Sequence, residues 1–260
     1  MTLSGKVALV TGAGSGIGKA TAVLFAQQGA RVGVLSHTSD EIEQTVKEIT
    51  AQGHEAIAIT ADVAQEQDMQ RAVQQLIERW GRLDIVFANA GINGVWAPIE
   101  EISVNEWMKT INTNLTGTFL TIKSAVPSLK KQGGSIIVTA SVNGTRIFSN
   151  TGATAYSSTK AAQVAMTKML AVELGRSKIR VNVICPGAVD TEINANTQQR
   201  DVEKIKIPAE FPEGSTPLAD GESASSEQVA QLALFLASDV SSHISGTEIW
   251  IDGASSLLRG

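Results

Sequence analysis

Tyr156 and Lys160 stand four residues apart in a segment of helical periodicity, so both side chains project from one face. A phenol that titrates near 10 is a poor base at neutral pH. A neighbouring ammonium favours the phenolate, and the pair could then protonate an alkoxide or deprotonate an alcohol. Such pairs also arise on solvated helices, but Tyr156 is the only tyrosine in the chain. Ser141 follows the run Ile136-Ile137-Val138-Thr139-Ala140. At a strand's carboxyl end its hydroxyl would reach a ligand crevice and donate to a substrate oxygen; the other reading is a loop or capping serine. Asn114 lies in Asn112-Thr113-Asn114-Leu115-Thr116-Gly117, inside an otherwise helical stretch. There it either distorts the helix or holds a water.

A second cluster, Thr11-Gly12-Ala13-Gly14-Ser15-Gly16-Ile17-Gly18, separates an apolar run from a helical segment. Glycines there permit positive φ and let the backbone approach a pyrophosphate, while the following helix offers free N–H groups to the anion. A tight structural turn is the plainer alternative. The Lys-Ser/Thr of a P-loop nucleotidase is missing.

These groups need a scaffold, and the hydrophobic pattern supplies one. Strand-like runs at Val7–Val10, Arg31–Leu35, Ala56–Ile59, Ile85–Ala88, Ser135–Thr139, Arg180–Ile184 and Glu248–Ile251 alternate with helical segments. The helices are expected at Lys19–Gln28, up to about Ala51, at Glu66–Trp80, Val104–Lys130, Ala155–Leu174 and Glu227–Ala237. Thr38 and Glu41 have capping-box spacing at the second helix, and Asp40 reads as a first-turn residue favoured by the dipole. The alternation predicts an α/β fold, with a doubly wound, mostly parallel seven-stranded sheet and helices on both faces. Ligands then bind outside the carboxyl ends of the strands. No break in composition divides residues 1–260, so a single domain is expected. The polar, proline-bearing stretch at about 192–226, with Pro208, Pro212 and Pro217, reads as a substrate lid.

A net charge of −5 and the lack of any Lys/Arg run disfavour a nucleic-acid partner. The single cysteine, Cys185, excludes an intrachain disulfide and leaves no thiolate metal site, so no metal is expected. No apolar run approaches the ~18 residues of a membrane span, and the first residues lack the pattern of a signal peptide. A cytoplasmic protein is the expectation.

Taken together, the motifs resemble the short-chain dehydrogenase/reductase family, in its simple single-domain branch, over nearly the whole chain. Its glycine motif fits Thr11–Gly18, its Asn-Ala-Gly motif Asn89-Ala90-Gly91, and its adenine-binding pair Asp62-Val63. Its Pro-Gly motif fits Pro186-Gly187, and Val189 and Thr191 fall where the family touches nicotinamide and phosphate. The tail from Ser245 to Gly253 is similar to the family's last strand. The resemblance implies a Rossmann-like fold and an NAD(P)-dependent oxidoreductase that transfers hydride between nicotinamide and a ketone or secondary alcohol. It implies catalytic roles for Asn114, Ser141, Tyr156 and Lys160. Tyr156 would transfer the proton, and Lys160 would hold the nicotinamide ribose and lower the phenol's pKa. Ser141 would polarise the carbonyl, and Asn114 would keep a water linking Lys160 to solvent. A homo-oligomer, tetramer or dimer, is implied through Val104–Lys130 and Ala155–Leu174.

Three departures stand out. Ala88 replaces a frequent second asparagine, and the Ser141–Tyr156 loop is longer than usual around Arg146, Ile147 and Phe148. At the end of the second strand Ser36 stands where an NAD-binding Asp is common, followed by His37 and Thr38. Without that carboxylate a 2′-phosphate is not repelled, so NADP(H) is expected to be favoured over NAD(H), with modest discrimination. Imidazole ordinarily titrates near 6.5, so a preference resting on His37 should sharpen as pH falls from about 8 toward 6. Trp96, Ile147, Phe148 and Phe211 are candidates for the wall of a small-molecule substrate pocket, and each reads equally well as core or as subunit contact. The alternative is a non-enzymatic NAD(P)-binding sensor on the same fold, which would ordinarily lack the Tyr. Enoyl reductases space Tyr and Lys more widely, and epimerases are longer with another glycine pattern.

Overall fold

The computed structural model describes residues 2–193, 197–207 and 216–258. The first half of the chain runs β1 (Val7–Thr11), α1 (Gly16–Gln27), β2 (Arg31–Ser36), α2 (Ser39–Ala51), β3 (Ala56–Thr60), α3 (Glu66–Trp80) and β4 (Ile85–Ala88). It continues with β5 (Val95–Trp96), α4 (Val104–Ile111), α5 (Gly117–Leu129), β6 (Gly134–Thr139) and α6 (Thr154–Leu174). The last part holds β7 (Ile179–Pro186), β8 (Gln198–Gln199), α7 (Ser226–Ala237) and β9 (Glu248–Ile251).

Seven strands form one sheet in the order β3-β2-β1-β4-β6-β7-β9, and every neighbouring pair is parallel. Strands buried on both faces read as continuous apolar runs, and β1 shows why. Val7 and Leu9 pack toward α3 and α5, with Met69, Leu76, Leu120 and Leu129. Ala8 and Val10 face the opposite layer of α1, α2 and α7, with Phe25, Ile42, Val229 and Ala233. Fully burying a side chain such as Phe25 contributes roughly 1.5–3 kcal/mol.

One local alternative is resolved and one expectation is corrected. The stretch 104–130 is distorted at its polar residues: a π-helical turn at Asn112–Thr116 separates α4 from α5. Asn114 sits in that turn, fully buried. At α2, Thr38 is the N-cap as expected, but its side chain makes no capping hydrogen bond and the box with Glu41 does not form. Glu41 instead lies against Gly14 of the glycine loop. By contrast, Ser103 and Glu106 at the start of α4 make a complete capping box.

β5 and β8 form a separate two-stranded parallel pair, Val95 with Gln198 and Trp96 with Gln199. Beside it Arg200 donates to both carboxylate oxygens of Glu106, at 3.0 and 3.1 Å. Arg200 and Ser103 together hold the Glu106 carboxyl down to about 2.

Candidate active site

The sheet reverses direction of growth between β1 and β4, and a crevice of about 900 Å³ opens there, outside the carboxyl ends of the strands. That volume lies toward the upper end of the ~300–1,000 Å³ usual for small-molecule sites.

The glycine loop forms one wall. Gly12 has φ +65°, and a Cβ there would come 3.0 Å from the Ala90 Cα. A Cβ on Gly18 would fall 2.0 Å from the Gly12 carbonyl oxygen, so only glycine lets α1 start this close to the end of β1. Ser15, Gly16 and Ile17 consequently line the crevice at the first turn of α1, where free N–H groups favour an anion. Backbone approach, helix start and depth all fit a dinucleotide's pyrophosphate. Thr191 closes over this loop, its Cγ2 3.1 Å from where a Gly16 Cβ would stand.

At one end of the crevice lie Ser36, His37 and Thr38, with Asp62 and Val63 beside them. Ser36 Oγ is 3.5 Å from His37 Nδ1, and the His37 side chain is exposed. Glu41 shares this wall: its Oε2 is 2.5 Å from the position of a Gly14 Cβ. The only sequence signal for Glu41 was its capping spacing, which pointed to a different partner.

Asn89 fastens three strand ends together. Its backbone N–H donates to Thr11 Oγ1 at 3.0 Å, its amide donates to the Thr11 carbonyl at 3.2 Å, and its Oδ1 accepts from Thr139 Oγ1 at 3.1 Å. β1, β4 and β6 are thereby held in register at the crevice floor, formed by Asn89, Ala90 and Gly91. Pro186, Gly187 and Val189 face them from the end of β7.

Ser141, Tyr156 and Lys160 converge at the other end, all buried against the crevice wall. Ser141 Oγ accepts from the Asn143 backbone N–H at 3.1 Å, which leaves the hydroxyl proton free to be donated. Lys160 Nζ donates to the Thr139 carbonyl at 2.8 Å and lies 5.4 Å from the centre of the Tyr156 ring. Burial draws the Lys160 ammonium down to about 8. Burial also pushes the Tyr156 phenol up; a hydrogen bond with the Ser141 side chain opposes this, and the Cys185 thiol adds to it. The expected lowering of the phenol by Lys160 is therefore corrected: desolvation dominates, and the phenol is held in its protonated form. A neutral phenol hydrogen-bonded with a serine hydroxyl is a pair of groups that can both donate to one incoming oxygen.

Two expected site residues stand behind the wall instead of on it. Gly18 packs α1 onto β1. Asn114 is spent on positioning: its Oδ1 accepts from the Ile92 N–H at 2.8 Å, and its Nδ2 donates to the Ile92 carbonyl at 2.9 Å and to Thr159 Oγ1 at 3.2 Å. Its own carbonyl accepts from Gln163 Nε2 and Thr118 Oγ1. The turn after β4 is thus tied to α6, which carries Tyr156 and Lys160. Of the apolar candidates, Trp96 and Ile147 line the crevice. Phe148 is 76% exposed and does not, because the loop turns its ring outward. Phe211 lies outside the described residues. Asn93, Asn143 and Asn150 also line the crevice and were not singled out from the sequence.

A family model described as enoyl-(acyl carrier protein) reductase matches residues 12–255. The chain belongs to the short-chain dehydrogenase/reductase family. It is 36% identical to a 3-oxoacyl-[acyl-carrier-protein] reductase of Thermotoga maritima, over 97% of this chain and 98% of that protein. A crystal structure of a 3-ketoacyl-ACP reductase from Sinorhizobium meliloti superposes with a TM-score of 0.95 at 53% identity, covering 97% of this chain and all of that one. A 3-ketoacyl-(acyl-carrier-protein) reductase of Brucella melitensis, complexed with NADH, superposes with a TM-score of 0.86 at 31% identity, covering 98% of this chain and 100% of the other. This short-chain dehydrogenase/reductase is an NAD(P)-dependent oxidoreductase that transfers hydride at a CH–OH or C=O group. The comparisons give no support to the non-enzymatic alternative. Among the described residues, no helix is long and apolar enough to cross a membrane.

Proposed function

We propose that the chain interconverts a small ketone and its secondary alcohol, with Tyr156 as acid/base. The observation that carries this reading is the convergence of Ser141, Tyr156 and Lys160 at one end of a crevice whose other end fits a dinucleotide. When bound, the nicotinamide supplies or accepts the hydride. Ser141 donates to the carbonyl oxygen. Tyr156 donates to the same oxygen and passes its proton to it as negative charge develops. Lys160 holds the ribose and stabilises the phenolate left behind. Asn114 acts through Ile92 and Thr159 as a positioning residue. Residues 1–260 then form one catalytic domain, with the segment at about 192–226 as a lid hung on β8 and Arg200. A panel of ketones and alcohols, followed by nicotinamide absorbance with NADH and NADPH, tests the reading; no turnover with any of them defeats it. Ser141→Ala is expected to lower kcat by roughly 10²–10³, the usual loss for one oxyanion-type donor. A loss under about threefold in that steady-state assay would make Ser141 structural.

The favoured cofactor is NADP(H), by a modest margin. Ser36 and Thr38 offer hydroxyl donors to a 2′-phosphate, and His37 has open space in which to meet it. Glu41 works against this choice, because its carboxylate shares the same wall. Glu41→Gln should therefore tighten NADPH by roughly twofold to fivefold, the scale of one solvent-screened charge pair, and NADH by less. Kd values for both cofactors between about pH 6 and 8 check this; tighter NADH binding throughout, in parent and variant alike, overturns it.

A homo-oligomer, tetramer or dimer, is proposed through α4, α5 and α6. Met108, Phe119, Met169 and Val172 stand exposed on these helices. Light scattering that finds only monomer at micromolar concentration contradicts it. The cytoplasm is the proposed location, where the lone Cys185 stays a thiol.

A further inference from the structure

We infer that the side-chain amide of Asn143 reads a second oxygen on the substrate, close to the carbon that exchanges hydride. The preferred substrate is then a ketone or alcohol bearing a nearby carbonyl or carboxylate oxygen, not a plain hydrocarbon ketone. This inference rests on the carbonyl/alcohol reading above and narrows its substrate class.

Asn143 is 9% exposed and lines the crevice beside Ser141. Its backbone N–H is the one that orients the Ser141 hydroxyl, so the two side chains belong to one turn. The amide is itself oriented, since Oδ1 accepts from Asn150 Nδ2 at 2.7 Å. Asn150 lines the same crevice, and an isolated bridge between Asn143 and Ile147 folds the intervening loop back upon itself. Gly144 makes this fold possible, with φ +79° and the Ser157 carbonyl 2.1 Å from where a Cβ would stand. The loop is therefore clamped onto the start of α6.

Asn143 Nδ2 has no acceptor among the described residues, yet it is not sealed off from the crevice. A fixed and nearly buried donor in the same turn as Ser141 costs free energy when it faces an apolar ligand, because its water is lost without replacement. It contributes when it meets an oxygen. Asn93, which also lines the crevice, gives the contrast: its Nδ2 already donates to Thr197 Oγ1 at 2.6 Å, and its backbone carbonyl accepts from the Trp96 indole.

The test uses pentan-2-one and ethyl acetoacetate with the intact enzyme and its preferred cofactor, reading kcat and KM separately. The parent chain should favour the oxygenated ketone in kcat/KM by roughly tenfold or more. Asn143→Leu should shrink that ratio by roughly threefold to tenfold, the worth of one hydrogen bond, with ethyl acetoacetate losing more than pentan-2-one. Asn143→Asp keeps the shape but replaces the donor with a carboxylate, and should shrink it further. Asn150→Ala, which frees the amide without removing it, should give an intermediate ratio and guards against misfolding of the other variants. An unchanged ratio, equal losses on both ketones, or no preference in the parent chain overturns the inference while leaving the carbonyl/alcohol reading intact. Failure of the parent chain to reduce either ketone overturns both.

Discussion

Tyr156→Phe is expected to turn over substrate roughly 10²–10⁴ times more slowly than the parent chain, the usual worth of a positioned general acid. Cofactor Kd should stay within a few-fold. The reasons are geometric. Tyr156 is buried on α6, and its ring continues to fill the same space without the hydroxyl. What disappears is the only phenol in the chain, together with the proton it holds and its hydrogen bond with Ser141. Nothing that faces the glycine loop has changed. Steady-state kinetics beside a fluorescence titration of cofactor separate these effects. A kcat near that of the parent chain would place the proton elsewhere.

Lys160→Met should be damaging in two ways at once. Methionine preserves much of the buried volume, so the variant should fold, but the charge and the donor to the Thr139 carbonyl are lost. Loss of one charge-assisted hydrogen bond, about 1.5–3 kcal/mol, corresponds to roughly 10- to 150-fold weaker cofactor binding. kcat should fall as well, because the phenolate formed in each turnover loses its counter-charge. Cofactor affinity equal to that of the parent chain would remove the ribose role. The parent chain should also show the ammonium in its pH profile. Lys160 is protonated below about 8 and neutral above it, so carbonyl reduction should hold at lower pH and decline as pH rises through about 8. Alcohol oxidation runs the other way. It needs the phenolate of a phenol that burial has pushed up, so its rate should climb with pH.

The alternation of apolar runs with 3.6-period segments was sufficient to place the seven main strands and the helices between them, because strands buried on both faces leave an unambiguous pattern. The candidate catalytic group came from the family resemblance, because a Tyr-x-x-x-Lys pair alone also fits a solvated helix and a strand-end serine a capping loop; the structure brings Ser141, Tyr156 and Lys160 to one crevice. What escaped was every feature that depends on which of two partners a side chain prefers. Glu41 had the spacing of a cap, but the bare surface of Gly14 lets it lie against the glycine loop. The sequence leaves Asn114 between distorting the helix and holding a water; the π turn is that distortion, and it delivers the amide to the Ile92 backbone. Phe148 reads from the sequence as pocket wall, core or subunit contact; its side chain is exposed, whereas Ile147 lines the crevice. The phenol's direction of shift was misjudged because helix spacing reports Lys160 and says nothing of burial.

Asn89 clamps the ends of β1, β4 and β6, whereas the strip at β8 meets β5 through two residues on each side and is held by the Arg200–Glu106 pair. The two fastenings share no residue. Substitution at Gln198 or Gln199 should therefore leave the placing of Ser141, Tyr156 and Lys160 to the sheet and α6, so that the rim of the crevice can be altered without moving its proton-transfer end.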